Sequence, residues 1–85
     1  MKLIALKALA AAIETGSLRS AARQLDLSQP ALTKTVRELE VELGAALLMR
    51  SSTGVVPTAQ GKVLFEQARK TLRELDAAVD QIQQL

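Results

Sequence analysis

The chain has 85 residues, 48% hydrophobic and 24% charged; a domain this small buries only about 60% of its unfolded surface, so part of its stability is expected from a second chain. Phe65 is the one aromatic, and neither Cys nor His is present, which excludes disulfides, thiolate metal sites and the commonest general base and so argues against an enzyme and against a bound cofactor. The formal net charge is only +2, yet between Thr15 and Arg37 the cations Arg19, Arg23, Lys34 and Arg37 face a single acid, Asp26, a local surplus that suits a nucleic acid or an ordinary solvated face.

The first helix is read from Leu6, Leu9, Ala10 and Ile13, which share one helical face, with Gly16 as its stop. Ser17 can cap a second helix whose inward positions Leu18, Ala21, Ala22 and Leu25 include two methyl-sized side chains, so another helix is expected to cross it closely. After only Asp26 and Leu27, Ser28 caps a third helix of about 15 residues, with Pro30 near its start and Gly44 at its end. Its apolar stripe is Leu32, Val36, Leu39 and Leu43. Asp26 stands in a turn that favours left-handed backbone, which Asp tolerates.

From Ala45 to Pro57 the helical period stops. Leu47 to Arg50 and Val55 to Pro57 flank a polar Ser51-Ser52-Thr53-Gly54 stretch, the pattern of a short β-hairpin. Thr58 then caps a last helix of about 27 residues and about 40 Å, uninterrupted by Gly or Pro from Lys62 onward. In it Phe65, Ala68, Leu72, Leu75, Val79 and Ile82 alternate steps of three and four, a heptad seam that wants a facing helix. The seam can lie on the chain's own domain, but short helices cannot cover about 40 Å, so a homodimer through this helix is expected. No apolar run approaches the roughly 20 residues of a membrane span and no secretory signal opens the chain, so no membrane partner and a cytoplasmic location are expected.

Two helices joined by a short turn, with small residues inside the first and a polar, cationic start to the second, match what reading a DNA major groove requires. Gln29 can offer a bidentate amide to adenine, and Thr33 a hydroxyl or methyl to a base edge or phosphate, while Pro30 can only pack. Lys34 and Arg37, one turn further on, suit phosphate contacts; Glu38, Glu40 and Glu42 would repel a backbone and are expected to point away. Ser17, Arg19 and Ser20 open the second helix, where free N–H groups and hydroxyls can hold a phosphate, although capping alone explains Ser17 equally well. The hairpin of Arg50, Ser51, Ser52, Thr53 and Gly54 can lie beside the duplex as a wing, with Arg50 either on the backbone or packed inside. The competing reading is a protein-interaction module in which the seam is the whole function.

Read together, Gly16-Ser17-Leu18, Ala21-Ala22, Leu27-Ser28-Gln29-Pro30-Ala31-Leu32-Thr33, Leu39-Glu40, Leu43-Gly44, Leu47, Arg50, Thr58 and Gly61 resemble the LysR-type transcriptional regulators over nearly the whole chain. The resemblance implies a mainly α fold, a winged helix-turn-helix over residues 1–57, followed by a dimerising linker helix over residues 58–85 that pairs antiparallel with its mate. It also implies an effector-binding C-terminal domain that would take a small-molecule inducer and assemble tetramers; with Leu85 falling about where the family's linker helix ends, this chain is expected to lack it. Carried onto this sequence, Ser28, Gln29, Pro30, Thr33, Lys34 and Arg37 would face the groove and Arg50 to Gly54 would form the wing, on an interrupted inverted repeat in a promoter. Two positions depart from the family: no Arg accompanies Thr53 for minor-groove insertion, and Thr35 stands where a second basic residue commonly neighbours Lys34.

Overall fold

Gly16 and Ser17 divide the first two helices. In the computed structural model, which describes residues 1–85, α1 (Leu3–Thr15) ends on Gly16 with φ of 69°, a left-handed geometry that glycine adopts without a Cβ penalty. Ser17 then caps α2 (Leu18–Gln24), its Oγ accepting from the Ser20 amide at 3.1 Å. Asp26 takes φ of 56°, as its turn position demands. Ser28 caps α3 (Gln29–Leu43), accepting from the Ala31 amide at 3.2 Å, and Gly44 closes it with φ of 66°.

α1 starts three residues earlier than its leucine spacing predicts, and its buried face is built of alanines. Ala5, Ala8, Leu9, Ala10, Ala11 and Ala12 are buried, whereas Leu6 and Ile13 are only partly so. The reason is packing on more than one side. Ala8, Ala11 and Ala12 meet Ala21 and Ala22 of α2 with Leu32 and Val36 of α3, and methyl-sized contacts let these helices approach closely. Ala5 and Leu9 join Leu39 and Leu47 in a second cluster. Leu43, expected in the α3 stripe, is 42% exposed because α3 outruns the core there.

The β-hairpin forms where the helical period stops. Strands β1 (Leu48–Ser51) and β2 (Gly54–Pro57) pair antiparallel, with Leu48 opposite Pro57, Met49 opposite Val56, Arg50 opposite Val55 and Ser51 opposite Gly54. The turn is therefore Ser52-Thr53, and Ser51 Oγ accepts from the Thr53 amide at 3.3 Å. Val55 turns its side chain inward, and its amide donates to the Gly16 carbonyl at 3.0 Å, tying the hairpin to the α1–α2 corner.

Helix α4 (Ala59–Gln83), 25 residues long, begins on Thr58, whose Oγ1 accepts from the Gly61 amide and donates to the Ala46 carbonyl. Its first half lies against α1, so Ala68 is buried within its own chain. Ala68, expected in a seam between two chains, is thus 1% exposed already within its own chain. Phe65 and Leu72 are half-buried in a crevice with Ala10 and Glu14, and Arg69 sits 5.5 Å above the Phe65 ring. Beyond Leu72 the head has ended, and Leu75, Val79 and Ile82 are 44%, 50% and 67% exposed.

Candidate nucleic-acid interface

The first three turns of α3 supply a polar, cationic surface that the rest of the chain leaves open. Gln29, Pro30, Lys34 and Arg37 are exposed, and Thr33 is half-buried beside them. Pro30, Thr33, Lys34 and Arg37 recur at steps of three and four, so they share one helical face, and they line one shallow crevice with Lys2. Lys2 was invisible to sequence reasoning because the leucine pattern started the first helix at Leu6; the N-terminal extension of α1 brings it alongside.

Charge on this surface is uncommitted. Ion pairs form only between the Met1 amino group and Glu42, at 3.1 Å, and between Arg69 and Glu66, at 3.9 Å. Arg19, Arg23, Lys34, Arg37 and Arg50 thus have no carboxylate within pairing distance, and an anion that approached would displace water alone. The three acids of the later α3 turns separate in the fold. Contrary to the expectation that all three point away, Glu38 and Glu42 are exposed and line the same crevice as Lys34 and Arg37. Glu40 turns the other way, and its Oε2 accepts from the Leu47 amide at 2.7 Å and the Leu48 amide at 3.4 Å. Sequence alone gave no sign of that role, since all three look like members of one acidic run.

The hairpin stands beside the same helix. Arg50 is exposed rather than packed inside, and it lines a second crevice with Thr33, Arg37 and Met49, which places the base of the wing next to the middle of α3. Ser51, Ser52 and Thr53 are exposed at the tip. Gly54 is not: a Cβ there would fall 2.0 Å from the Gly16 carbonyl oxygen, so it serves close packing against the α1–α2 corner. On α2, Arg19 is exposed while Ser17 and Ser20 are half-buried, and the Ser17 hydroxyl already accepts the Ser20 amide. Ser28 is exposed, with its hydroxyl likewise engaged as a cap.

A helix-turn-helix made from α2 and α3, a hairpin flanking α3 and a long trailing helix set the terms on which known proteins compare. The sequence profile described as bacterial regulatory helix-turn-helix protein, lysR family, matches residues 3–62. The chain belongs to the LysR family. Among curated relatives, the small neutral protease regulatory protein of Streptomyces coelicolor is 42% identical over 76 residues, covering 89% of this chain and 24% of that protein. Two solved structures are similar in shape. The BenM DNA-binding domain in complex with catB site 1 DNA has a TM-score of 0.92 at 34% identity, with 99% of this chain and 94% of that chain covered. The CbnR DNA-binding domain in complex with DNA has a TM-score of 0.86 at 36% identity, covering 98% of this chain and 95% of that one. The LysR-family chain spans about a quarter of the length of the curated relatives it matches. Its fold is accordingly a winged helix-turn-helix followed by a long helix, as the residue pattern predicts.

Proposed function

We propose that residues 1–57 are the DNA-reading head and residues 58–85 the linker of a LysR-type transcription regulator, two copies of which bind double-stranded DNA at an interrupted inverted repeat. The observation that carries this reading is the open face of α3, where Gln29, Thr33, Lys34 and Arg37 stand at the start of a helix with no carboxylate partner for either cation. A helix of this kind fits a major groove with its first turns on the base edges, and the shape is shared with two domains that were solved on DNA. In this pose Gln29 reads a base edge, Thr33 meets an edge or phosphate, and Pro30 packs. Lys34 and Arg37 contact phosphates, with Ser28, Ser17, Arg19 and Ser20 along the backbone. The wing of Arg50, Ser51, Ser52 and Thr53 lies on the flank, its contribution weak because no long cation follows Ser51 at the tip.

The dimer in this proposal uses the exposed far half of α4, Leu75, Val79 and Ile82, with Phe65 and Leu72 at the margin. A regulator of the length of the relatives would add an effector-binding domain that takes a small-molecule inducer and permits tetramers. The function is binding rather than catalysis, needs no cofactor, and is exercised in the cytoplasm. Selection of bound sequences from a random duplex pool, followed by affinity measurements at several salt concentrations, tests the reading. With about 8 phosphates neutralised per dimer, the slope of log K against log salt is near −7; no selected motif, or a slope close to zero, overturns it.

A further inference from the structure

We propose that Glu40 is a positioning residue that fixes the direction of the linker helix relative to the recognition helix, and through it the half-site spacing that a dimer accepts. The proposal rests on the DNA-reading role assigned above. It starts from the two backbone groups of one residue. The Leu47 amide donates to Glu40 Oε2 at 2.7 Å, and the Leu47 carbonyl accepts from the Thr58 amide at 3.0 Å. One residue therefore joins a side chain of α3 to the backbone that opens α4.

The junction is reinforced on both sides. Thr58 Oγ1 donates to the Ala46 carbonyl at 2.6 Å while accepting the Gly61 amide at 3.0 Å, so the first turn of α4 is fastened to the residue before Leu47 as well. Gly61 lies so close that a Cβ on it would fall 2.0 Å from the Leu47 carbonyl oxygen. The Leu47 side chain is 1% exposed in the cluster of Ala5, Leu9 and Leu39, which holds the peptide still. Because Glu40 also accepts from the Leu48 amide at 3.4 Å, the same carboxylate sets where β1 begins. A carboxylate accepting amide donors in a part-buried setting makes stronger hydrogen bonds than a neutral pair, and its loss leaves the Leu47 amide without an acceptor.

The consequence for DNA is geometric. Half-sites one base pair further apart are displaced by about 3.4 Å along the duplex and about 35° around it, so a joint that holds each head at a fixed angle to the linker pair discriminates between adjacent spacings. A loosened joint lets either head find its half-site across several spacings.

The test uses this chain and duplexes built from the half-site it selects from a random pool, with spacings stepped by single base pairs. Wild type is expected to prefer one spacing over its neighbours by about tenfold or more, the size of one charge-assisted hydrogen bond. Glu40→Ala, and Glu40→Met as a variant of similar length without the acceptor, flatten that preference while affinity for a single half-site stays within about threefold. Glu40→Gln, which retains an acceptor oxygen, restores the preference. An unaltered spacing profile in a folded Ala or Met variant, or a Gln variant as flat as either, overturns the positioning role. Failure of wild type to select any duplex overturns the DNA-reading role instead.

Discussion

Gly61 occupies a position in the first turn of α4 where an added methyl would collide with backbone, 2.0 Å from the Leu47 carbonyl oxygen. Alanine ordinarily stabilises a helix by about 1 kcal/mol relative to glycine. Here the sign reverses, since the atom it meets cannot swing aside. Gly61→Ala is expected to destabilise the chain by about 2 kcal/mol or more, read as a lowered thermal midpoint in circular dichroism. Gly44→Ala is the control: its φ of 66° imposes strain of about 1 kcal/mol, but nothing lies within 4 Å, so its midpoint falls less. Gly44 was legible from sequence as a helix stop, because a glycine just past an apolar stripe has a local meaning. Gly61 had only the family resemblance to single it out, since its neighbour is 14 residues away in sequence. Glu40 shows the same limit, as its partners Leu47 and Leu48 lie across the α3–β1 turn.

Among the elements, α3 depends on its cap. Ser28 Oγ accepts from the Ala31 amide at 3.2 Å, and its loss in Ser28→Ala is expected to cost about 1 kcal/mol by chemical denaturation. Ser28→Asp separates stability from binding: the carboxylate caps the helix and suits its dipole, so stability is retained, while negative charge beside the phosphates lowers duplex affinity at least several-fold in a binding titration. The helices and their caps were readable because Ser17, Ser28 and Thr58 each precede an apolar period. α1 was misplaced at its start for a physical reason. An alanine run buried on several sides has no polar face, so the larger Leu6 and Ile13 drew the reading away from Ala5, Ala8 and Ala12. In α4 the seam divides, because steps of three and four do not reveal that the near half meets α1 and only the far half stays free.

At the scale of the whole molecule, 47 Å along its longest axis, the head and the far end of α4 do separate jobs. Leu75, Val79 and Ile82 support no core of their own. Leu75→Glu with Val79→Glu is therefore expected to halve the mass in sedimentation while leaving the helical signal unchanged, and a mass unaffected by both charges rules out the α4 dimer. The DNA face was legible in part, since Gln29, Lys34 and Arg37 fall on one side of a helix that the caps define. The recruitment of Lys2 and the closeness of Arg50 to Arg37 come from packing between distant segments. The central claim is that the exposed start of α3 reads the duplex, and it is tested most directly by the affinity of Gln29→Ala with Lys34→Ala for the duplex that wild type selects. Both side chains are exposed, so the fold and the dimer mass stay unchanged. Affinity is predicted to drop by about a hundredfold, the sum of a lost base contact and a lost phosphate contact; wild-type affinity in that folded, dimeric double variant would contradict the account.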